Sequence, residues 1–487
     1  MSEVPASYGV MPNGERQSIP DRYQIQSDRA HIAVRSLSAY DFVQHTYDGS
    51  HGYRDGTYLI PHPREQFYET RRESSYYVNA YRPIIDAMVI PVYNQEIERS
   101  SENDLYTKFI EDCDAAGTSL HGFMEIAVTN ARIFGVTFIV MDNFREQPAT
   151  QQAALAERIG PYIYERIPQH VKTHTVNALG SLETIDFFER CEDIAGEERE
   201  LYRHWDNVQS VLYYVRKGKD DKAEAVIIET VVHGLGVLPV IPIMGFCKTN
   251  SLRELPNPPT YDLAMLTFAL FNKESQVTTL EQFQAFSLLV TSDFDASSLT
   301  IGPTTFLNCG SNAKFAPQYI SPNTANITTL VANCERLKEE IYKQAGQQGV
   351  IGIKSEQSGL AKEWDFRAEE SVLKKTATVA EKTEWKISEL FSAYSGQDAA
   401  LTLVYPSRFS PTYDSVRIND SLKIIQQTPP QEMVDPLWEE VVMSFWSHDK
   451  EKAQEIIDSM EESGSADAEP TTEEAETPDE MNNGNAE

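Results

Sequence analysis

The feature that most constrains the fold is a stretch near residues 358–396 that contains no proline and no glycine between Gly359 and Gly396. It carries Glu363/Arg367, an opposite-charge pair at four-residue spacing, and such pairs stabilise helices. A straight helix of this length would extend about 57 Å at 1.5 Å per residue. Helices that long usually cross a whole domain or an assembly. This stretch therefore predicts a long helix that spans a large domain or an oligomer.

The remaining apolar patterns divide into helical and strand-like regions. The helical spacing is sharpest between Leu330 and Ala345, where apolar residues recur at gaps of three and four. Similar patterns predict helices near 63–88, 103–133, 261–286 and 328–345, and two or three short helices within 415–459. The same apolar spacing at 261–286 and 328–345 is also expected of an ordinary helical hairpin within a hydrophobic core, so that interpretation stays open.

Strands are predicted mainly between residues 160 and 232, where β-branched and aromatic residues alternate with polar ones. Segments 211–215 and 225–232 flank a polar turn and predict an antiparallel hairpin. Further strands are expected at 135–141 and 401–410, and a small strand-and-loop module at 288–325. The proline-rich stretch 237–260 is expected to be extended chain. Helices followed by antiparallel strands indicate an α+β fold.

Length and charge restrict the function. A chain of 487 residues predicts two to four subregions. Its net charge of −32 excludes tight phosphate binding over the whole surface. Residues 461–487 contain ten acidic residues and neither Lys nor Arg, which predicts a disordered acidic tail that either aids solubility or docks. Residues 1–60 show no periodicity and predict a loosely structured arm.

No membrane or secretory segment is predicted, because the longest apolar runs are far shorter than the ~20 residues a bilayer requires. The five cysteines show no CxxC spacing, which argues against zinc and disulfides and fits the cytoplasm. Pro239 and Pro242 prevent the helix that a dinucleotide site would need after Gly234 and Gly236.

Catalytic and metal motifs are likewise not found. The sequence contains no GxxxxGK[ST] loop for phosphates and no GxSxG nucleophile. His170 and His174 lie on a predicted strand, which would hold them about 13 Å apart. A carboxylate pair for acid–base chemistry is unidentifiable among 74 acidic residues. We therefore predict no enzyme activity, no catalytic residue, no cofactor and no metal.

The order of these segments resembles the portal proteins of tailed bacteriophages. The resemblance begins at Gly236–Pro242, followed by a helix that contains Asn272 and Ser275. It continues through residues 335–346, 355–362 and 404–409, which are similar to the second stem helix, the start of the long helix and the strand after it. Its motifs are short, and their order over residues 65–445 carries the resemblance.

The resemblance implies an α+β portal-like subunit with a mixed α/β wing, a helical stem, a small α/β clip, a tunnel loop with a long helix, and a helical crown. The implied boundaries are an N-terminal arm at 1–60, the wing at 61–257 with 397–415, stem helices at 258–287 and 326–346, the clip at 288–325, the tunnel loop at 347–357, the long wing or channel helix at 358–396, the crown at 416–460 and the disordered acidic tail at 461–487.

The resemblance also implies a function and partners. The protein would form a homo-oligomeric ring, expected to be a dodecamer, at one capsid vertex of the virion after synthesis in the host cytoplasm. Double-stranded DNA would pass through the channel during packaging and ejection. The ring would dock the terminase large subunit, a head–tail adaptor, and the major capsid and scaffolding proteins, with no membrane contact.

Four tunnel-loop residues are implied to face the DNA channel. Val350, Ile351 and Ile353 would form an apolar constriction, and Lys354 would be the cation nearest the phosphates. A loop that contacts nothing is the competing interpretation. Two other functions also stay open, namely a structural or scaffolding-type virion protein without a channel and a hydrolase with an unrecognised carboxylate pair.

Overall fold

The computed structural model describes the greater part of the chain, with gaps. The described residues are 8–10, 16–18, 38–62, 65, 67–144, 160–194, 196–217, 223–247, 251–284, 288–290, 318–320, 325–345, 359–409, 421–425, 431–445 and 450–464. They divide into two units, one ending at Phe409 and the other beginning at Ser410. The structure mixes helices with antiparallel sheets, in agreement with the predicted α+β class.

The α-helices are α1 (Ala39–Asp48), α2 (Tyr68–Ser74), α3 (Tyr81–Ala87), α4 (Ile90–Tyr93), α5 (Asp104–Glu111), α6 (Leu120–Phe134), α7 (Tyr261–Gln284), α8 (Ala325–Gln344), α9 (Gly359–Ser395), α10 (Gln431–Phe445) and α11 (Lys450–Gly464). The strands are β1 (Tyr8–Val10), β2 (Arg16–Ser18), β3 (Glu98–Ser101), β4 (Thr137–Asn143), β5 (Pro161–Arg166), β6 (Val171–Val176), β7 (Leu182–Ile194), β8 (Glu197–Trp205), β9 (Gln209–Lys217), β10 (Ala223–Val232), β11 (Val240–Ile243), β12 (Leu288–Val290), β13 (Gln318–Ile320) and β14 (Leu401–Val404).

The sheets are antiparallel throughout the described strands. Strands β6 to β10 form a five-stranded meander in the order β10-β9-β8-β7-β6, which confirms the predicted hairpin of β9 and β10. A second sheet has the order β11-β4-β5. The two sheets face each other through aromatic and aliphatic side chains, with the rings of Phe138 and Phe187 5.6 Å apart.

The 237–260 stretch is only partly the extended chain that the prolines predict. Val240–Ile243 forms the edge strand β11, which pairs with β4 in register Val240 to Val140. Pro242 lacks an N–H donor, and an edge strand tolerates that loss because one of its sides needs no partner. The segment therefore belongs to the core and does not merely cross between subregions.

Helix α6 and strand β4 are joined by a turn that only glycine fits. Gly135 has a φ of 86°, and a Cβ on it would lie 2.5 Å from the sulfur of Cys247. The Ser119 hydroxyl accepts a hydrogen bond from Gly122 N at the other end of α6. The chain thereby passes within two residues from a buried helix to the predicted buried strand.

Two long helices predicted from periodicity are divided in the structure. The 63–88 pattern becomes α2 and α3, with α4 just beyond, and Pro83 and Pro91 lie in the first turns of α3 and α4, where no N–H is needed. The 103–133 pattern is interrupted between α5 and α6. There Asp114 accepts hydrogen bonds from Ala116 N and Thr118 N, which stabilises a turn instead of a helix.

The prediction of a loose arm over residues 1–60 is corrected for residues 38–60. Helix α1 begins after Ser38, whose hydroxyl accepts from Asp41 N. Phe42, Tyr53 and Tyr58 are buried against α7 and α3. The region is rich in Gly, Ser and Asp, which interrupt any regular apolar spacing. The aromatic residues that anchor it therefore gave no periodic signal in the sequence.

The second unit contains α10 and α11, which pack through Val442, Ala453 and Ile457. A short helical segment at 421–425 precedes them. Helix α11 continues to Gly464, so residues 461–464 belong to a helix and not to the predicted tail. Their acidic side chains are compatible with a helix, and charge alone did not distinguish the two states.

A partly buried polar cluster within the five-stranded meander makes the stability of the fold depend on pH. The His204 imidazole hydrogen-bonds Asp186, and the Tyr213 hydroxyl donates to the other oxygen of that carboxylate at 2.7 Å. The hydrogen bond to Asp186 raises the pKa of His204 above its usual value, although burial opposes the shift. A raised folded-state pKa contributes stability that is complete below the unfolded pKa and is lost as pH rises through the folded pKa.

We therefore expect His204→Gln to destabilise the protein more at about pH 5.5 than at about pH 8.5, by a difference on the order of 1 kcal/mol. Urea unfolding at the two pH values measures it. Tyr213→Phe keeps the imidazole and serves as the control. It should lower the free energy of unfolding by nearly the same amount at both pH values. A His204→Gln effect independent of pH would contradict the assignment.

Candidate functional site

The four residues predicted to face the channel, Val350, Ile351, Ile353 and Lys354, lie outside the described residues. The structure describes the elements on either side of them, which are α8, ending at Gln344, and α9, starting at Gly359. The implied tunnel loop at 347–357 therefore remains a prediction. Helices α8 and α9 flank this loop, and α7 packs against α8.

Helices α7 and α8 form an antiparallel pair. The Lys338 ammonium lies 3.0 Å from the Glu274 carboxylate, and Gln344 near the end of α8 lines the same cavity as Asp262 at the start of α7. Apolar residues fill the space between the helices, and they include Leu270, Val277, Cys334, Leu337 and Ile341. Because these residues are buried between the two helices, apolar residues recur at regular helical spacing from Leu330 to Ala345.

The chain that joins these two helices contains a short strand pairing. Leu288–Val290 and Gln318–Ile320 pair antiparallel, with Leu289 opposite Tyr319. The described residues between 261 and 345 are thus arranged in the order helix, strand, returning strand and helix. The other residues of the predicted clip at 288–325 lie outside the described part of the chain, apart from Ala325, where α8 starts.

Asn272 anchors α7 to the N-terminal region by its side-chain amide. Its Oδ1 accepts from Ile60 N at 2.8 Å, and its Nδ2 donates to the Tyr58 carbonyl at 3.2 Å. The side chain is buried, so these bonds satisfy backbone groups that would otherwise be left without partners. Asn272 belongs to the segment that resembles portal proteins. In this chain its side chain fixes α7 against residues 58–60.

Ser275 and Arg71 make a second polar anchor one turn further along α7. The Arg71 Nη1 donates to the Ser275 hydroxyl at 2.9 Å, while Nε and Nη2 bind the two Glu65 oxygens at 2.5 and 2.8 Å. The Arg71 side chain is 3% exposed and that of Glu65 14%. Burial raises the pKa of Glu65, yet Arg71 and a backbone donor outweigh it and hold the pKa below its usual value.

We expect Arg71→Met to destabilise the protein by about 3–5 kcal/mol, because it leaves the Glu65 carboxylate buried without its cation. The adjacent Arg72→Met is the matched control, since Arg72 and Glu69 form an exposed pair at 2.8 Å. That control should change stability by less than about 0.5 kcal/mol. Chemical denaturation of both variants measures the difference, and equal losses would contradict the buried anchor.

Helix α9 is tied to the core through a buried ion pair. Arg99 on β3 donates to both oxygens of Glu384, at 2.5 and 2.8 Å, and their side chains are 7% and 0% exposed. The Tyr405 hydroxyl, just beyond β14, also donates to Glu384. Strands β3 and β14 pair with each other, so the carboxylate joins α9 to both of them.

A second contact holds α9 near the start of the hairpin helices. The Arg132 guanidinium on α6 donates to the Thr376 hydroxyl at 2.5 Å and lies 4.0 Å from the ring centre of Phe246. Burial without a carboxylate partner lowers the pKa of Arg132 to about 10. Arg132 also lines a cavity of about 200 Å³ with Thr260, which immediately precedes α7, and Ala345, which immediately follows α8.

We expect Glu384→Gln to cost about 3–5 kcal/mol of stability, because the Arg99 guanidinium would stay buried without a counter-charge. Glu389→Gln, an exposed change five residues along the same helix, should be nearly silent. Thermal unfolding of the two variants provides the comparison. Similar melting temperatures for both would show that the ion pair does not fix α9.

Sequence reasoning did not identify these anchors. Glu384 could have been found, because it falls on the apolar stripe of α9 with Ala380, Ile387 and Phe391. A carboxylate on a buried stripe requires a cation from elsewhere in the fold. Arg99 and Arg132 carry no comparable local signal, since their partners on α9 are 285 and 244 residues away. Arg71 pairs with Glu65 six residues before it, but its contact with Ser275 spans 204 residues.

The described residues contain neither a metal-binding cluster nor a membrane-spanning helix. No cluster of three or more His, Cys, Asp or Glu side chains there could bind a metal ion. No described helix is long and apolar enough to cross a membrane.

Comparisons with known proteins find matches among solved structures only. No protein-family model matches the sequence, and no curated protein sequence matches it. Among solved structures, the chain is similar to a chain in the virion of a native gene transfer agent particle. That similarity covers 81% of this chain and 94% of the other, with 10% identity and a TM-score of 0.41. Values this low carry no argument about fold or function.

Proposed function

We propose that this protein is a portal subunit whose copies form a ring around a DNA channel at one vertex of a phage capsid. The observation that carries the proposal is the order of connected elements around the antiparallel pair α7 and α8. A short strand pairing joins those helices, the 37-residue α9 follows, and β14 then returns to pair with β3. This is the order of stem, clip, stem, channel helix and wing that the sequence resemblance implies.

The buried polar contacts that anchor α7 and α9 suit helices that form the wall of a channel and must keep their positions. Asn272 and the Arg71–Glu65 pair fix α7, and Glu384 fixes α9 at a buried position. Such buried polar contacts are geometrically specific, because a shifted helix would leave charges without partners. Copies held in this form would close by rotation into a ring, and a dodecamer is the expected number.

The mechanism is passive transport of a polyanion. A channel must let DNA slide, and extensive phosphate neutralisation would retard it. The net charge of −32 suits a wall that guides without capture. Energy would come from a packaging ATPase, the terminase large subunit, docked on the clip at 288–325. A head–tail adaptor and the capsid and scaffolding proteins would complete the vertex.

Lys354 provides the residue-level test. Lys354→Glu is expected to reduce DNA packaging at least tenfold, because it replaces the cation nearest the phosphates by a repelling charge. Lys354→Arg keeps the charge and should package normally. The yield of nuclease-protected DNA in virions measures the effect, and normal packaging by Lys354→Glu would show that this role is wrong.

A second control separates a local effect from a change in net charge. Lys108→Glu makes the same charge change at an exposed position on α5. It should leave packaging unaffected. If it lowers packaging as much as Lys354→Glu does, the loss reflects overall charge and not a tunnel-loop contact.

A further inference from the structure

The solvent face of α9 carries an unusual concentration of lysines for so acidic a chain. Helix α9 buries one face, on which Leu373, Ala380 and Ile387 lie, and exposes the other. From Ser371 onward, the exposed positions are Ser371, Lys374, Lys375, Thr378, Lys382, Trp385, Lys386, Glu389 and Ala393. This face thus presents four lysines and one carboxylate in a protein whose net charge is −32.

Most of these lysines have no acidic partner. Lys374 is exposed and lies 3.2 Å from the half-buried Glu370, at four-residue spacing. Within the described part of the chain, Lys375, Lys382 and Lys386 form no ion pair. The half-buried Glu370 and Glu381 lie beside the row, and Glu370 pairs with Lys374 alone among the described lysines of the row.

A neighbouring groove extends the basic surface beyond the helix. A cavity of about 380 Å³ is lined by Lys374, Thr378, Glu381, Ser407 and Arg408, among others. It adds the Arg408 guanidinium and the hydroxyl groups of Thr378 and Ser407 to the lysine row, beside the Glu381 carboxylate. A cation with hydroxyl donors suits phosphate oxygens. The opposite case is α8, whose exposed face includes Glu335, Glu339 and Glu340 with Arg336.

The row also matches a polyanion in length. Lys375 and Lys386 are eleven residues apart, which corresponds to about 16 Å along a helix. A DNA duplex presents about ten phosphate charges over that length, at one per ~1.7 Å. The lysine row from Lys375 to Lys386 therefore spans a length over which a duplex carries several phosphates on each strand.

We infer that the exposed face of α9, from Lys374 to Lys386, is a phosphate-contacting surface for double-stranded DNA, additional to the predicted tunnel loop. The inference rests on the proposed function and extends it to residues that the resemblance does not assign. Contacts of this kind are independent of base sequence and weak at high salt. They would guide a moving duplex, since lysine is a flexible point charge and does not form the fixed bidentate pairs of arginine.

The test is the DNA affinity of the assembled full-length protein. The variant K375E/K382E/K386E is compared with K108E/R190E/R216E, which makes the same charge change at exposed positions elsewhere. Fluorescence anisotropy with a labelled duplex at about 50 mM salt should show at least tenfold weaker binding for the first variant only. Its slope of log affinity against log salt should become shallower by about 3, because each neutralised phosphate contributes ~0.9 to that slope.

A local readout accompanies the affinity. Trp385 is 41% exposed and lies between Lys382 and Lys386 on the same face. The fluorescence difference between the wild type and Trp385→Phe isolates its signal, which should be quenched when DNA binds. Equal affinity of the two triple variants, no binding by the wild type, or no change in Trp385 emission would overturn the inference.

The acidic segment at 465–487, predicted from sequence as a tail, is a competing polyanion for this face. Zero-length carboxyl–amine crosslinking followed by mass spectrometry distinguishes it. Crosslinks from Lys375, Lys382 or Lys386 to the tail, together with unchanged DNA affinity of K375E/K382E/K386E, would overturn the inference in favour of the tail.

Failure of this inference is separable from failure of the proposed function. Electron micrographs of the same samples show whether rings form. Rings with an axial opening and a DNA affinity unaffected by K375E/K382E/K386E would exclude the α9 surface and leave the channel proposal. A wild type that binds DNA through these lysines without forming rings would exclude the channel and retain the α9 surface.

Discussion

The buried face of helix α9 is the constraint on which the rest of the first unit depends. Its apolar residues complete the core that α6 and β4 begin, and Glu384 requires Arg99 and Tyr405 to come together around one carboxylate. A buried charge without its partner is costly, so rotation of α9 is strongly opposed. Once the buried face is fixed, the exposed face with its lysines is fixed as well.

The same principle governs the hairpin helices. Helix α7 must bury apolar residues against α1 and α8, but it is held in position by polar groups, namely Asn272 and Ser275. Apolar packing supplies most of the stability, and it tolerates small shifts of one helix along another. Hydrogen bonds to the Ile60 amide and Arg71 do not tolerate them. The combination gives a helix that is both stable and precisely placed.

Much of the fold could be predicted from the sequence, because its signals are local. The absence of proline and glycine predicted α9 nearly to the residue, and apolar spacing predicted α7 and α8. The divided helices were missed, since turns stabilised by Asp114 and by prolines interrupt a continuous apolar pattern. The anchors were missed for a different reason. Arg99 and Glu384 are 285 residues apart, and no local pattern records such a pairing.

The central claim is that copies of this chain enclose a hole wide enough for a DNA duplex. Electron micrographs of the purified protein, averaged over many particles, test it most directly. The account predicts closed rings with rotational symmetry and an open axis, with density for α7, α8 and α9 surrounding it. Compact single subunits, or assemblies without an axial opening, would contradict it.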